Sequence, residues 1–324
     1  MSDFPSPEKY RQGISKSHLA GLNSYGIKTT YPFVIKREKN QYLYDIDGNK
    51  YVDFFLNNGS VIAGHNQKNL TLYIKDAISL STESVFINKF YYKLVRYFKS
   101  IIDIKHIQLY PSQFEAMFEL LKFLRPSSIA VNSHFLFNFL KEFFPGIEID
   151  YVFTTKKKNF DLFIFEPLNF DKNLEIFDFK EIMAKKYCLF ESRTAFRTRY
   201  GFFEDLESVD FVFCGNIISN GMDSCVIISR ESIPQKIIPG FLALNILETL
   251  KYYRRKEVYS KFLSAKSELI SSQKGGILKL TKEVEADELL RYGIFLKGST
   301  LFLSILHTEN DIKRLINALK IRGL

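Results

Sequence analysis

Few side chains in this sequence stand at spacings that chemistry requires. The loop GNIISNGM, Gly215 to Met222, joins the apolar runs FVFC and CVII and carries an amide, Asn216, at its start. An amide is a poor nucleophile and a poor base, so asparagine's preference for turns assigns Asn216 a conformational role. His65 and His134 have no second ligand at metal spacing. Cys188, Cys214 and Cys225 are odd in number, lie in or beside apolar runs and form no C-x-x-C pair, which reads as buried reduced thiols. Nothing suggests a Ser-His-Asp set, which is recognised by geometry. Glu166, before Pro167, reads as fixing a strand end, and Arg197 as half of a structural ion pair; in an open cleft either could grip a ligand.

The elements that must position these residues follow from periodicity. PFVIKREKNQYLYDIDGNKYVDFF alternates apolar and polar residues and turns at Asp47-Gly48, as a meander of short antiparallel strands does. Helical spacing runs from Asn69 to about Tyr97, interrupted near Ser79 to Glu83. HIQLY is a short strand, and Ser112 then opens SQFEAMFELLKFLR as an N-cap with an acid three residues later. SIAVN, IDYVF, DLFIFEP, YCLFES, DFVFC and CVIIS are near-continuous apolar runs, separated by helical or polar segments such as FLFNFLKEFF and FDFKEIMAKK. Strands covered on both faces look like this, so the fold class is α/β with a mostly parallel sheet. After Pro239 a long helix through FLALNILETLKYYRRKEVYSKFLSAKSELISS leads to strands ILKLT, GIFLK and LFLSIL and a closing helix, a small α+β domain.

The chain has 324 residues, 46% of them apolar and a quarter charged, which is the composition of a globular protein able to bury a large core. No apolar stretch approaches the roughly 20 residues that span a bilayer, and MSDFPSPEKYRQ lacks a signal-peptide core, so a cytoplasmic location with no membrane partner is expected. The net charge is +9, but the basic residues are spread along the sequence. Its densest runs, Lys156 to Lys158 and Tyr252 to Tyr259, read as a loop and a solvated helix face, which disfavours a nucleic-acid partner.

Several of these stretches resemble one family. YLYDIDGNKYVDFFLNNGSVIAGHN, Tyr42 to Asn66, resembles the D-x-D-G-x-x-Y-x-D strand pair and L-G-H-N turn of glutamate-1-semialdehyde aminomutase and other class III aminotransferases. LYPSQFEAMFELLKFLR resembles the S-G-T-E-A turn, FIFEP the V-E-P strand, LFESRTAFR the D-E-V-x-T-G-F-R segment and GNIISNGM the lysine loop. YGIFLKGSTLFLSILHTENDIKRLINALK resembles the last strands and closing helix, with His307, Thr308, Asp311 and Ile312 in place. The resemblance is colinear over nearly the whole chain. It implies the fold type I architecture of pyridoxal-phosphate enzymes: a mostly parallel seven-stranded sheet with helices on both faces, a small C-terminal domain and an N-terminal meander, normally dimeric. The expected divisions are residues 1–65, 66–235 and 236–324.

The resemblance also implies what is missing. Asn216 stands where the family has the lysine that forms the Schiff base with the cofactor and later acts as base. Phe190, with Glu191 one place later, stands at the carboxylate beside the pyridine nitrogen. Ser112 survives at the phosphate turn, but Gln113 and Phe114 replace the glycine and threonine there, so the cup reads as filled by side chain and Phe114 and Phe190 as core filling. The segment between Val131 and Phe163 and the turn in ESIPQKIIPG are shortened. The expectation is a catalytically degenerate homologue, a binding or partner subunit with a vestigial cleft of Ser112, Gln113, Phe114, Glu166, Phe190 and Asn216. No cofactor, or at least no covalent pyridoxal phosphate, and no metal is expected. Its partners would be a second copy or an active aminotransferase, meeting through the meander and the IAGHN turn, with a small molecule in the cleft. The alternative is an atypical enzyme using pyridoxal phosphate noncovalently or running new chemistry there. The family's relatives serve tetrapyrrole, amino-sugar and cell-surface polysaccharide synthesis.

Overall fold

Apolar runs that can be buried on both faces need partners on both edges, and six such runs, with HIQLY at one edge, form a single sheet. The computed structural model describes residues 10–29, 31–80, 87–102, 106–155, 159–199, 201 and 208–323. Lys156 to Lys158 and most of the helical interruption read near Ser79 to Glu83 lie outside these. Up to the sheet's last strand the elements are α1 (Gly13–Ser24), β1 (Ile35–Lys39), β2 (Tyr42–Asp45), β3 (Lys50–Asp53), the single turn α2 (Leu56–Gly59), α3 (Lys68–Leu80), α4 (Lys89–Lys99), β4 (His106–Tyr110), α5 (Gln113–Leu124), β5 (Ser128–Val131), α6 (His134–Phe143), β6 (Glu148–Tyr151), β7 (Asn159–Phe165), β8 (Met183–Phe190), β9 (Phe211–Cys214) and β10 (Cys225–Ser229). Then come α7 (Gly240–Lys256), β11 (Ile270–Lys274), β12 (Ile277–Leu280), β13 (Ile294–Phe295), β14 (Thr300–Phe302) and α8 (Glu309–Arg322).

The chain divides into two units, one made of residues 1–67 and 258–324, the other of residues 68–257. This grouping differs from the three consecutive segments expected: α7 belongs to the larger unit, and the two ends of the chain share the smaller one. The reason is a strand pairing. β13 lies parallel to β3, Ile294 opposite Val52 and Phe295 opposite Asp53, and completes the sheet β1-β2-β3-β13.

In the larger unit the strand order is β4-β10-β9-β8-β7-β5-β6. β6, β5, β7, β8 and β9 are mutually parallel, and β10 runs antiparallel to both β9 and β4. Alternate residues of these strands, Leu162, Ile164, Cys188, Phe190, Phe211 and Phe213 among them, meet Met117 and Leu120 of α5 and Leu136 and Leu140 of α6 in one core. FDFKEIMAKK is neither wholly polar nor an α-helix. Phe177 and Phe179 pack on Phe163 and Phe165, and β8 begins at Met183, because aromatic rings at alternate positions seat on a sheet better than on a helix face.

In the smaller unit the motif residues are scaffold. Asp45 accepts hydrogen bonds from the Asn49 N–H at 2.8 Å and the Tyr51 hydroxyl at 2.6 Å, and Asp47 accepts from the Ile14 and Ser15 N–H groups that open α1. Gly64 has φ of +85°, and a Cβ there would lie 3.0 Å from the Asn40 carbonyl oxygen, so the turn requires glycine twice over. Thr308 and Asp311 form a reciprocal capping box at the start of α8. The long helix expected after Pro239 stops at Lys256: Glu257 is left-handed, a 3-10 turn follows, and ISSQK forms β11 instead.

Candidate functional site

Parallel strands in register deliver their following residues to one edge. Phe165 lies opposite Leu189 and Phe190 opposite Phe213, so Glu166, Glu191 and Gly215 leave the carboxyl ends of three adjacent strands, where open α/β sheets bind ligands. The N-terminus of α5 borders the same edge: Gln113 reaches both Gly215 and Ser192.

Ser112 is the N-cap of α5, its hydroxyl accepting from the Glu115 N–H at 3.0 Å, as its sequence context predicts. Gln113 closes the turn. Its Oε1 accepts from the Ser192 hydroxyl at 3.0 Å, and its side chain lies so close to Gly215 that a Cβ on that glycine would collide with it. The Gln113 N–H is directed at Asp223, whose Oδ1 lies 3.4 Å away; burial raises the Asp223 carboxyl above the ordinary range. Phe114 does not fill the cup. It is 44% exposed and rests on Phe143 and Phe144, because the second residue of a helix that starts at the sheet edge points away from the sheet.

Phe190 is buried as expected, stacked on Phe213 at 4.8 Å with Phe135 at 6.4 Å. Glu191, fully buried, is met by the Arg199 guanidinium and the Thr194 hydroxyl. Glu166, also fully buried, pairs bidentately with Arg193, whose Nε lies 2.7 Å from Oε1, and the Asn132 amide brackets its backbone. Arg193 in turn lies 3.8 Å over the Phe170 ring. Sequence reading singled out the two glutamates but passed over Arg193 and Arg199; the signal available was the density of arginine in ESRTAFRTR. Arg197 is fully buried, and burial pulls its guanidinium down to about 9.

Asn216 is partly buried and tied down. Its Oδ1 accepts from the Ser224 N–H at 3.2 Å, and its carbonyl accepts from the Gly221 N–H at 2.9 Å and the Ser219 hydroxyl at 3.0 Å. The amide closes the loop between β9 and β10, the conformational role its type suggests.

The remaining candidates lie elsewhere. His65 places Nε2 2.8 Å from Asp53 and Nδ1 3.1 Å from Glu38. Burial alone would lower its pKa, but the two carboxylates raise it to about 9. His134, exposed at the start of α6, meets Asp171 at 3.1 Å, and Tyr151 donates to the same oxygen. The three cysteines are buried free thiols, their pKa values pushed up by burial. Among the described residues no cluster of three His, Cys, Asp or Glu is arranged for a metal, and no helix is long and apolar enough to cross a membrane. Val61 to His65, expected at a subunit contact, are buried in the chain.

No protein-family model matches the chain. Its fold has solved counterparts. Ornithine aminotransferase from Toxoplasma gondii superposes with a TM-score of 0.73 at 16% identity, over 95% of this chain and 96% of that one. A transaminase solved with PLP bound gives 0.74 at 13% identity over 95% and 96%, and acetylornithine aminotransferase from Elizabethkingia anophelis 0.64 at 15% over 95% and 97%. The class of protein is therefore an aminotransferase fold.

Sequence relatives narrow this. Glutamate-1-semialdehyde 2,1-aminomutase from Limosilactobacillus reuteri is 33% identical over 79 residues, 24% of this chain and 18% of the relative, and that of Methanococcus maripaludis 36% over 70 residues, 21% and 16%. The matched segments span less than a fifth of those relatives' length. Over those short segments the chain is similar to glutamate-1-semialdehyde aminomutases, and over nearly its whole length its fold is that of the aminotransferases.

The expectation of no cofactor does not stand. One solved neighbour holds PLP, and another, ornithine aminotransferase from Toxoplasma gondii, has PLP at partial occupancy in its active site. Losing a covalent anchor is different from losing the cofactor. The residues here fit such a group in part: the Ser112 helix start offers backbone donors, whereas Asn216 has no amine to bind an aldehyde and Gln113 and Asp223 crowd the phosphate side.

Proposed function

We propose that this chain is a catalytically degenerate aminotransferase-fold protein acting as a binding or partner subunit, and that pyridoxal phosphate in its cleft is held without a covalent bond. The observation that supports this is Asn216, an amide with no proton to shuttle, engaged in closing its loop. Glu166 and Glu191 support it further, since each is already neutralised by an arginine and is not free to hold a pyridinium. A partner role is supported by the aromatic surface of α5 and α6, where Phe114, Phe118, Phe135 and Phe143 are each at least 40% exposed.

The test is incubation with pyridoxal phosphate, dialysis, and mass spectrometry before and after borohydride. Cofactor that dialyses away, with no borohydride-fixed adduct and no half-reaction with amino donors, is the expected result. A stable adduct that turns over an amino donor would overturn the reading. Light scattering at micromolar concentration addresses the partner role: a monomer that captures no aminotransferase from extract removes it.

A further inference from the structure

Several lysines and arginines of the larger unit meet carboxylates: Lys185 meets Asp161, Lys186 meets Asp210 and Glu231, Lys236 meets Glu115, and Arg193 and Arg199 meet buried glutamates. On one helix the cations are concentrated and no acid stands among them. α4, KFYYKLVRYFK, has four cations and no acid. Its apolar side, Phe90, Tyr91, Leu94 and Phe98, is buried, and α4 packs on α7. The opposite side exposes Lys89, Lys93, Arg96 and Lys99 at helical spacing, with Tyr92 60% exposed among them. Among the described residues none of these four cations is paired with a carboxylate.

The end of α7 extends the stripe. The Arg254 guanidinium lies 6.0 Å over the Tyr97 ring, and Arg255 and Lys256 are exposed beyond it. The α7 carboxylates are Glu248, held by Lys251 at 2.7 Å, and Glu257 at the C-cap. Charges scattered in sequence, a spread that argued against a polyanionic partner, are thus gathered by the packing of two helices.

Helix dipoles explain part of this composition and not the rest. Cations favour C-terminal turns, which accounts for Lys99 and Arg254 to Lys256. Lys89 and Lys93 sit near the N-terminus of α4, where positive charge opposes the dipole and the first turn has no acid. A membrane surface fits poorly, since the apolar side of α4 is already buried and only Tyr92 remains to insert. A line of cations about 15 Å long, at 1.5 Å per residue, with an exposed aromatic ring inside it, matches a flexible strand of phosphates with stackable bases.

We propose that the α4–α7 surface binds single-stranded nucleic acid without sequence preference. Four to six phosphates in contact predict that log K falls against log salt with a slope of about −3 to −4. The experiment uses the full chain and fluorescent 12-mers of uridylate and thymidylate, followed by anisotropy at 50 and 200 mM salt. Lys93→Glu with Arg96→Glu should weaken binding at least tenfold, and Tyr92→Ala about tenfold, while Lys185→Glu on β8, outside both helices, leaves it unchanged. Far-UV circular dichroism and melting of each variant, expected to match the parent, keep folding apart from binding. Three results would overturn the proposal: no binding at 50 mM salt, equal binding of poly-glutamate with indifference to Tyr92→Ala, or capture by phosphatidylserine vesicles in preference to either 12-mer.

Discussion

Arg193→Met separates a structural Glu166 from one available to a ligand. Glu166 is fully buried and Arg193 6% exposed, and their contact is bidentate. Removing the guanidinium strands a carboxylate, and breaking a buried pair from one side costs about 3–5 kcal/mol. The methionine keeps the hydrophobic stem against Phe170 but forfeits the cation–π contact seen at 3.8 Å, of order 1 kcal/mol at a buried ring. Glu166→Leu strands the arginine instead and should cost a similar amount, about 3 kcal/mol or more. The double variant removes both charges, and its cost should fall to about 1 kcal/mol, since a buried pair replaced by apolar groups is often near neutral. Urea unfolding followed by far-UV circular dichroism gives the cycle, with a coupling of at least about 2 kcal/mol expected. Single variants costing under about 1 kcal/mol each, with an additive double, would refute the reasoning and leave Glu166 free to grip a ligand.

Three further outcomes are expected. His65, with a folded pKa of about 9 against an ordinary value near 6.5, adds stability that is complete below pH 6.5 and lost as pH rises through 9; urea midpoints at pH 6 and 10 should differ in the parent and converge in His65→Gln. Asp223, its carboxyl raised by burial, faces the phosphate side, so pyridoxal phosphate affinity measured by equilibrium dialysis should improve as pH falls, and Asp223→Asn should flatten that dependence; a parent affinity independent of pH between 5 and 8 contradicts it. Asn216→Lys alone should give no half-reaction with amino donors and lose about 1 kcal/mol with the Ser224 bond, whereas adding Gln113→Gly and Phe190→Asp should raise cofactor retention before any turnover.

The larger sheet was legible because its strands are nearly unbroken apolar runs, and the Ser112 helix because cap and acid stand three apart. The end of α7 was not: helical spacing continues past Lys256, and nothing local announces that Glu257 turns left-handed. β11, ISSQK, has one apolar residue in five, so its pairing with β12 is set by tertiary context. At the site, residue types placed Phe190 in the core and Asn216 in a turn. They could not orient Phe114, which depends on where a helix meets a sheet, nor reveal that Arg193 and Arg199 each answer a different glutamate.

The parallel pairing of β13 with β3 also has a consequence for synthesis. The larger unit is continuous in sequence and can close as soon as Glu257 has left the ribosome, but β3 must wait for Ile294. Between Asp53 and Ile294 the chain runs for 241 residues, and at about 5–20 residues per second the delay is about twelve to fifty seconds. Through that interval the meander has a bare strand edge of the kind that recruits other strands. Messages truncated after Glu257 should therefore yield a soundly folded middle attached to an N-terminal segment that cannot close, and such products are predicted substrates for chaperones and proteases.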